Sequence, residues 1–231
     1  MLAGPDRFAQ TMERSGIEEG TSVVAYADQM GNGPFRLWWA CRAYGHDQVQ
    51  VLDGGMDKWA AEGRPVSSDR HRPRAVTRWV PRPDPRLVAT DRDVLAAEGD
   101  PATVVLDSRT SEQYAGRAVW FEAGPVRADS DGVARTPRGD VRAGHVPWAA
   151  NVPFSELYRR DFTMKTPQEL RAILALAGAE PGRRLLTYCG CGISASALLF
   201  AATLAGVEDA ALYDASWEEW GRRPELPVAR D

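Results

Sequence analysis

Apolar and polar positions alternate so as to divide the chain into short apolar runs separated by stretches of helical period. Near the start, Phe8, Met12 and Ile17 stand roughly one turn apart, which predicts an amphipathic helix over 5–19. Thr21 to Tyr26 reads as a short strand, and a polar, glycine-rich loop from Asp28 to Gly33 leads into a helix over Phe35 to Tyr44. Gln48 to Leu52 is a second strand, closing on Asp53-Gly54-Gly55, with a short helix from Met56 to Glu62. Further on come a helix over Asp91 to Glu98, a strand over Thr103 to Asp107 and the turn-rich Gly144-His145-Val146-Pro147. The apolar run Leu185 to Tyr188 ends at Cys189, two glycines follow, and an Ala/Leu-rich segment continues without a breaker to Gly206. That order predicts a buried strand, a tight loop and a helix. Strands alternating with helices predict an α/β fold with a mainly parallel sheet flanked by helices.

The order occurs twice. Pro5 to Ala27 spans the same interval as Pro167 to Cys189, and Tyr26 falls opposite Tyr188. The run Val51-Leu52-Asp53-Gly54-Gly55-Met56-Asp57-Lys58-Trp59 falls opposite Leu212-Tyr213-Asp214-Ala215-Ser216-Trp217-Glu218-Glu219-Trp220 with a one-residue shift. So long an ordered series reads as two copies of one α/β unit. Ala27 stands where Cys189 stands, so the first copy is read as catalytically silent. Residues 87–162 have no counterpart before Pro5, so the first copy is expected to be incomplete, lacking its front portion. Its short sheet should leave an edge or apolar face that something must cover, and homodimerisation is one way to do so. The expected division is a partial, silent domain over 1–68, a linker over 69–86 and a catalytic domain over 87–231. The connecting stretch Ser67 to Arg86 carries four prolines and seven basic residues counting His71, which suits an extended surface crossover with a solvated charged face. Gly116 to Arg142 is rich in Gly, Pro, Asp and Arg and longer than an ordinary connection, and it reads as a mobile loop or functional lid.

Composition narrows the class. An apolar content of 44% with 26% charged residues is ordinary for a globular protein. The net charge of −4 argues against a nucleic-acid partner, while leaving room for a local basic pocket. No apolar run approaches the ~20 residues that would span a membrane. The first residues lack the basic-then-apolar layout of a signal peptide. Cys41, Cys189 and Cys191 are too few for a disulfide scaffold, which points to a reducing, cytoplasmic setting.

The chemistry-bearing candidate is Cys189. A thiol at the carboxyl end of a strand faces the loop amides and the positive end of the following helix, and both favour the nucleophilic thiolate. Open parallel sheets bind ligands at that end. The competing reading is a small buried hydrophobe. Cys41, inside Trp38-Trp39-Ala40-Cys41-Arg42, is read as core. Cys189 and Cys191 are poorly spaced for a strain-free disulfide and supply half a zinc site at most, so no metal is expected. A phosphate-transferring cysteine needs an arginine closing its loop, and Ile193-Ser194-Ala195-Ser196 has none.

Tyr188-Cys189-Gly190-Cys191-Gly192-Ile193-Ser194-Ala195, followed by Tyr213-Asp214-Ala215-Ser216-Trp217-Glu218-Glu219-Trp220, resembles the rhodanese family of sulfurtransferases. Asp107-Ser108-Arg109 with Glu112 and Tyr114, and Gly144 to Pro153, resemble that family's two other signature segments. The resemblance covers essentially the whole chain. It implies two rhodanese-like domains, the first incomplete, and a Cys189 that cycles between thiolate and persulfide without a cofactor. The implied donor is a small anion, thiosulfate or 3-mercaptopyruvate; the implied acceptor is cyanide, a thiol or a thioredoxin-like protein. Two half-reactions mean ping-pong kinetics. The implied substrate-binding residues are Arg109, Gly190, Cys191, Gly192, Ile193 and Ser194. Arg109 matches a family arginine that faces the active site and suits an anionic donor; an internal salt bridge with Glu112 or Asp107 is its other reading. Thiosulfate-preferring members often carry basic residues just after the cysteine, and this loop carries none. Mercaptopyruvate-type members commonly read Cys-Gly-Ser-Gly-Val-Thr-Ala; here Cys191 takes the serine position and Ser194 the threonine position. The donor therefore stays open, as does Cys191, which could sense oxidation, resolve a persulfide or only replace a small polar residue. The alternative function is a non-catalytic sulfur carrier or regulatory binding module.

Overall fold

Five parallel strands form the centre of the protein in a computed structural model that describes residues 1–231 except Gln29, Met30, Arg70, His71, Ala75, Val76, Thr77, Glu122 and Ala123. In chain order the first half contains α1 (Pro5–Arg14), β1 (Val23–Ala25), α2 (Gly33–Ala43), β2 (Val49–Val51) and α3 (Gly55–Ala61). There follow β3 (Val88–Ala89), α4 (Asp91–Ala96), β4 (Thr103–Asp107), α5 (Ser111–Tyr114), β5 (Ala118–Phe121), β6 (Gly124–Arg127), β7 (Val133–Thr136) and β8 (Gly139–Arg142). The chain ends with β9 (Ala149–Asn151), α6 (Pro167–Leu176), β10 (Arg184–Tyr188), α7 (Ile193–Leu204), β11 (Ala210–Tyr213) and α8 (Ser216–Trp220).

The central sheet has the order β3-β11-β10-β4-β9, with every pair parallel. Both faces are covered, as a parallel sheet requires. Leu185, Val104, Leu106 and Leu212 join one apolar cluster with α2, α6 and α7, while Leu186, Val105, Ala211 and Tyr213 join a second with α4 and α8. From β4 the chain steps outward to β9, and from β10 it steps the other way to β11. The crevice between the carboxyl ends of β4 and β10 is therefore the topological switch point, where such sheets hold ligands.

Local sequence accounts for the helix ends. Thr166 and Glu169 form a reciprocal capping box at the start of α6, with Pro167 in the first turn. The predicted first helix is shorter than 5–19 because Gly16 turns left-handed (φ +70°), and Ile17 N–H then donates back to Met12 O at 3.0 Å. Ile17 still packs on the core, from outside the helix.

In the first half, β1 pairs in parallel with β2 to form a two-stranded sheet. Val24 and Tyr26 on its outer face are 53% and 58% exposed. Its helix α2 lies against α7, where Phe35 and Trp38 meet Phe200 at centroid distances of 5.1 and 5.0 Å. Each such aromatic pair adds about 0.5–1.5 kcal/mol beyond burial.

Two expectations are corrected. The connecting stretch is not a free crossover along its described length. Trp79 is buried edge-on to Phe8, its backbone N–H donates to Glu13 Oε1 at 2.9 Å, and Arg82 and Asp84 amides bond to carbonyls of Tyr44 and Ala43. The middle of that stretch, including His71, and part of the Asp28 to Gly33 loop lie outside the described residues. Gly116 to Arg142 is not a loop or lid: apart from Glu122 and Ala123, outside the described residues, it contains two antiparallel hairpins, β5–β6 and β7–β8. Val119, Ala134 and Val141 alternate inward and complete the second cluster against Trp217 and Trp220. Arg142 donates to the carbonyls of Trp220, Arg223 and Leu226, so this insertion buttresses α8.

Candidate active site

Cys189 follows the last residue of β10, the middle strand of the sheet, and is 2% exposed. Its backbone is held from both sides by α8. Cys189 N–H donates to Ser216 Oγ at 3.1 Å, and Cys189 O accepts from Trp217 N–H at 2.9 Å. Gly190 O accepts from Glu218 N–H at 2.9 Å. In contrast, the amides of Gly190, Cys191 and Gly192 find no oxygen acceptor among the described residues. They stand free at the mouth of α7, whose own first-turn amides carry the positive end of its dipole.

Ser216 was not singled out by the sequence, yet it is the anchor of this loop. It is fully buried with φ +54°, a left-handed conformation that a side chain adopts only at a cost of order 1–3 kcal/mol. Its hydroxyl donates to Tyr213 O at 2.8 Å while accepting from Cys189 N–H. The position opposite it in the first half is Gly55, with φ +59°, and there Met56 N–H donates to Ala27 O at 3.1 Å. Both halves thus make the same turn. In the first, glycine makes it without strain; in the second, serine accepts the strain and supplies an oxygen that glycine lacks. A glycine opposite a serine in the two series set side by side was the available signal.

Gly192 caps α7 at φ +79°, and a Cβ there would meet Arg36 Nη1 and Asp214 Oδ1 at 2.6 Å each. Arg36, reaching from α2, pairs with Asp214 and donates to Gly192 O at 3.3 Å. It is a cation from the first half beside the loop, a tertiary contact invisible to motif reading. Ile193 is 44% exposed, and Ser194 Oγ lies 3.0 Å from Ser108 Oγ across the switch-point crevice.

Arg109 is 3% exposed and turned into the scaffold. Its guanidinium pairs with Asp107 at 2.5 Å, donates to Gly144 O at 2.7 Å and lies 4.2 Å from the ring centroid of Trp217. The salt-bridge reading held open in the sequence is the contact the structure contains; it is made with Asp107, not Glu112. Burial and the neighbouring Asp107 hold the Tyr188 phenol well above its usual range, and Tyr188 Oη accepts from Val146 N–H at 3.2 Å. Gly144 to Pro153 closes the same scaffold: His145 stacks on Tyr114 at 3.7 Å, and Asn151 Nδ2 donates to the carbonyls of Asp107 and Arg109.

The three thiols differ in setting. Cys41 is fully buried, and burial pushes its thiol up to about 12. Cys191 is exposed as a residue; partial burial of its thiol and the proximity of Cys189 raise its pKa, opposed by Ile193 N–H, Arg36 and the Met1 amino group. A cavity of about 440 Å³ opens elsewhere, at the carboxyl ends of β1 and β2 beside Ala27, Asp53, Gly55 and Phe200, and Cys189 does not line it.

The family model of the rhodanese-like domain matches residues 3–62 and 90–223. Human 3-mercaptopyruvate sulfurtransferase is 30% identical over 225 residues, covering 96% of this chain and 70% of the relative. Rat thiosulfate sulfurtransferase is 33% identical, covering 100% of this chain and 73% of the relative. The sulfur carrier protein TtuD of Thermus thermophilus is 32% identical, covering 97% and 76%. Among solved structures, wild-type EanB superposes with a TM-score of 0.84 at 22% identity, covering 99% of this chain and 55% of that one. The anaerobic ergothioneine biosynthesis enzyme of Chlorobium limicola gives 0.81 at 23% identity over 99% of this chain and 55% of that one, and at such identities the likeness is one of fold.

Proposed function

The chain belongs to the rhodanese-like family, and on that premise we propose that it is a sulfurtransferase that moves sulfane sulfur from thiosulfate or 3-mercaptopyruvate to cyanide or a thiol acceptor through a persulfide on Cys189. The observation that carries this is the loop itself. Cys189 follows the central strand, its own amide is tied to Ser216, and the next three amides have no oxygen acceptor among the described residues, which leaves them available to an anion. Thiolate attack on the outer sulfur of the donor forms the S–S bond and expels sulfite or pyruvate enolate. The free amides and the α7 terminus then stabilise the anionic persulfide as an oxyanion hole stabilises developing charge. A second nucleophile takes the outer sulfur and restores the thiolate. Gly190, Cys191, Gly192, Ile193 and Ser194 frame the donor, with Arg36, bonded to Gly192 O, as a cation beside them. Arg109 enters as a residue that positions β4 and Trp217 rather than as a donor contact.

Residues 1–68 are read as a partial, catalytically silent unit, 69–86 as a linker and 87–231 as the catalytic domain. The two matched segments, 3–62 and 90–223, support that division. Among the described residues no helix is long and apolar enough to cross a membrane, and free cysteines at 41, 189 and 191 favour a cytoplasmic setting. The exposed Val24 and Tyr26 face of the two-stranded sheet fits a homodimer. Sedimentation velocity should show a dimer that Tyr26→Lys dissociates; a monomer at every concentration contradicts it.

Ser216→Ala removes the acceptor of the buried Cys189 N–H, which costs about 1–3 kcal/mol of stability. Loosening the loop is expected to lower turnover by roughly ten- to a hundredfold. Steady-state assays on the folded variant check this, and unchanged turnover would remove Ser216 from the site.

The second reading, a sulfur carrier, is favoured by the Thermus relative of that description. Initial rates with thiosulfate and cyanide separate the two. An enzyme gives parallel double-reciprocal lines; a carrier loads one sulfur and fails to turn over.

A further inference from the structure

The two thiols of the loop differ in access. Cys189 is 2% exposed, while Cys191 is exposed. Hydrogen bonds from Trp217 and to Ser216 lock the Cys189 backbone, and Glu218 N–H fixes the Gly190 carbonyl, so Cys189 cannot swing outward without breaking them. Cys191 lies beyond these anchors, between two glycines, and a Cβ placed on Gly190 would meet nothing within 4 Å. A small anion such as cyanide can enter a crevice of this kind; a thiol carried on a protein surface meets Cys191 first.

We propose that Cys191 is a second sulfur-carrying thiol, which takes the sulfane sulfur from Cys189 and presents it to bulky thiol acceptors. This rests on the reading of Cys189 as the persulfide-forming residue. Residues two apart have Cα atoms no more than about 7 Å apart. The outer sulfur of a Cys189 persulfide projects about 2 Å beyond Sγ, and the two thiols are close enough that Cys189 raises the pKa of Cys191. In the step, the Cys191 thiolate attacks that outer sulfur. An S–S bond forms at Cys191, the S–S bond at Cys189 breaks, and its electron pair returns to Cys189 Sγ as thiolate. The proton of the Cys191 thiol leaves to solvent. One persulfide replaces another, so the transfer needs neither oxidant nor reductant. Arg36, shared with Asp214 and bonded to Gly192 O at 3.3 Å, is placed to offset the charge of a persulfide on Cys191. The competing product, a Cys189–Cys191 disulfide with loss of hydrosulfide, is disfavoured by the strain of so short a ring. An emptied Cys189 can load again, so the loop can hold two sulfur atoms.

The test is rapid quenching of the full chain with an alkylating agent after exposure to thiosulfate or 3-mercaptopyruvate, followed by fragmentation of the peptide that contains both cysteines. The expected result at one equivalent of donor is sulfur on Cys189 first and on Cys191 later, with two sulfur atoms per chain at excess donor. In Cys189→Ser, Cys191 should take up none. Cys191→Ser should slow turnover with a thioredoxin-type acceptor roughly tenfold more than turnover with cyanide. Sulfur found only on Cys189 at all times, or Cys191 loading equally fast in Cys189→Ser, would overturn the relay. No sulfur on either cysteine would instead contradict the sulfurtransferase reading beneath it.

Discussion

Cys189→Ser is expected to abolish sulfur transfer, lowering turnover by at least about a thousandfold, while the protein stays folded. The hydroxyl is nearly isosteric, and the bonds that fix the loop run through the Cys189 backbone, so the anchors to Ser216 and Trp217 survive. What is lost is the soft, ionisable nucleophile, and serine has no adjacent base to replace it. Cys41→Ser is the matched control. Cys41 is fully buried inside α2, and its thiol acts as a small hydrophobe. Burying a hydroxyl there costs about 1–3 kcal/mol, but turnover per folded molecule should be unchanged. Turnover of both variants, normalised to the folded fraction by circular dichroism, checks the pair. Activity retained in Cys189→Ser, or lost from folded Cys41→Ser, would reverse the roles.

The largest stability effect is expected at Arg109. Asp107 is fully buried, and Arg109 supplies its countercharge through both side-chain nitrogens facing it and its backbone N–H. Arg109→Met leaves that carboxylate in the sheet core without a countercharge, held only by the residue-109 backbone N–H and the Tyr188 phenol. The expected cost is about 3–5 kcal/mol, a Tm lower by roughly 6–20 °C for a chain of this size. Asp107→Asn combined with Arg109→Met should recover part of the loss, because no charge is then left unpaired. Calorimetry of the single and double variants measures this. A direct donor contact predicts the opposite pattern: an increased KM for thiosulfate with little change in Tm.

These two residues show what could be read from the chain. Cys189 was legible because strand, glycine and helix signals are local and fix a thiol at a strand end, and because Ala27 marks the same place without one. A mainly parallel sheet followed from the same periodicity, but its five strands and their order did not, because β3 and β9 are too short to show a period. Thr103 to Asp107 was bounded correctly because it is an apolar run closed by a charged residue. Arg109 was legible as a charged residue at a strand end but not in direction, because whether it turns to the crevice or to Asp107 depends on Trp217 and Gly144, far along the chain. The hairpins of 118–142 were missed because four-residue strands interrupted by Gly and Pro carry too few alternations to register. Arg36 acts across the α2–α7 contact, where no spacing rule applies.

The most direct test of the central claim is the mass of the intact protein after incubation with thiosulfate or 3-mercaptopyruvate and before any acceptor is added. Sulfur should be gained, located on Cys189 at the earliest times and removed by cyanide with formation of thiocyanate. An unchanged mass with both donors, alongside a control sulfurtransferase that loads under the same conditions, would contradict it.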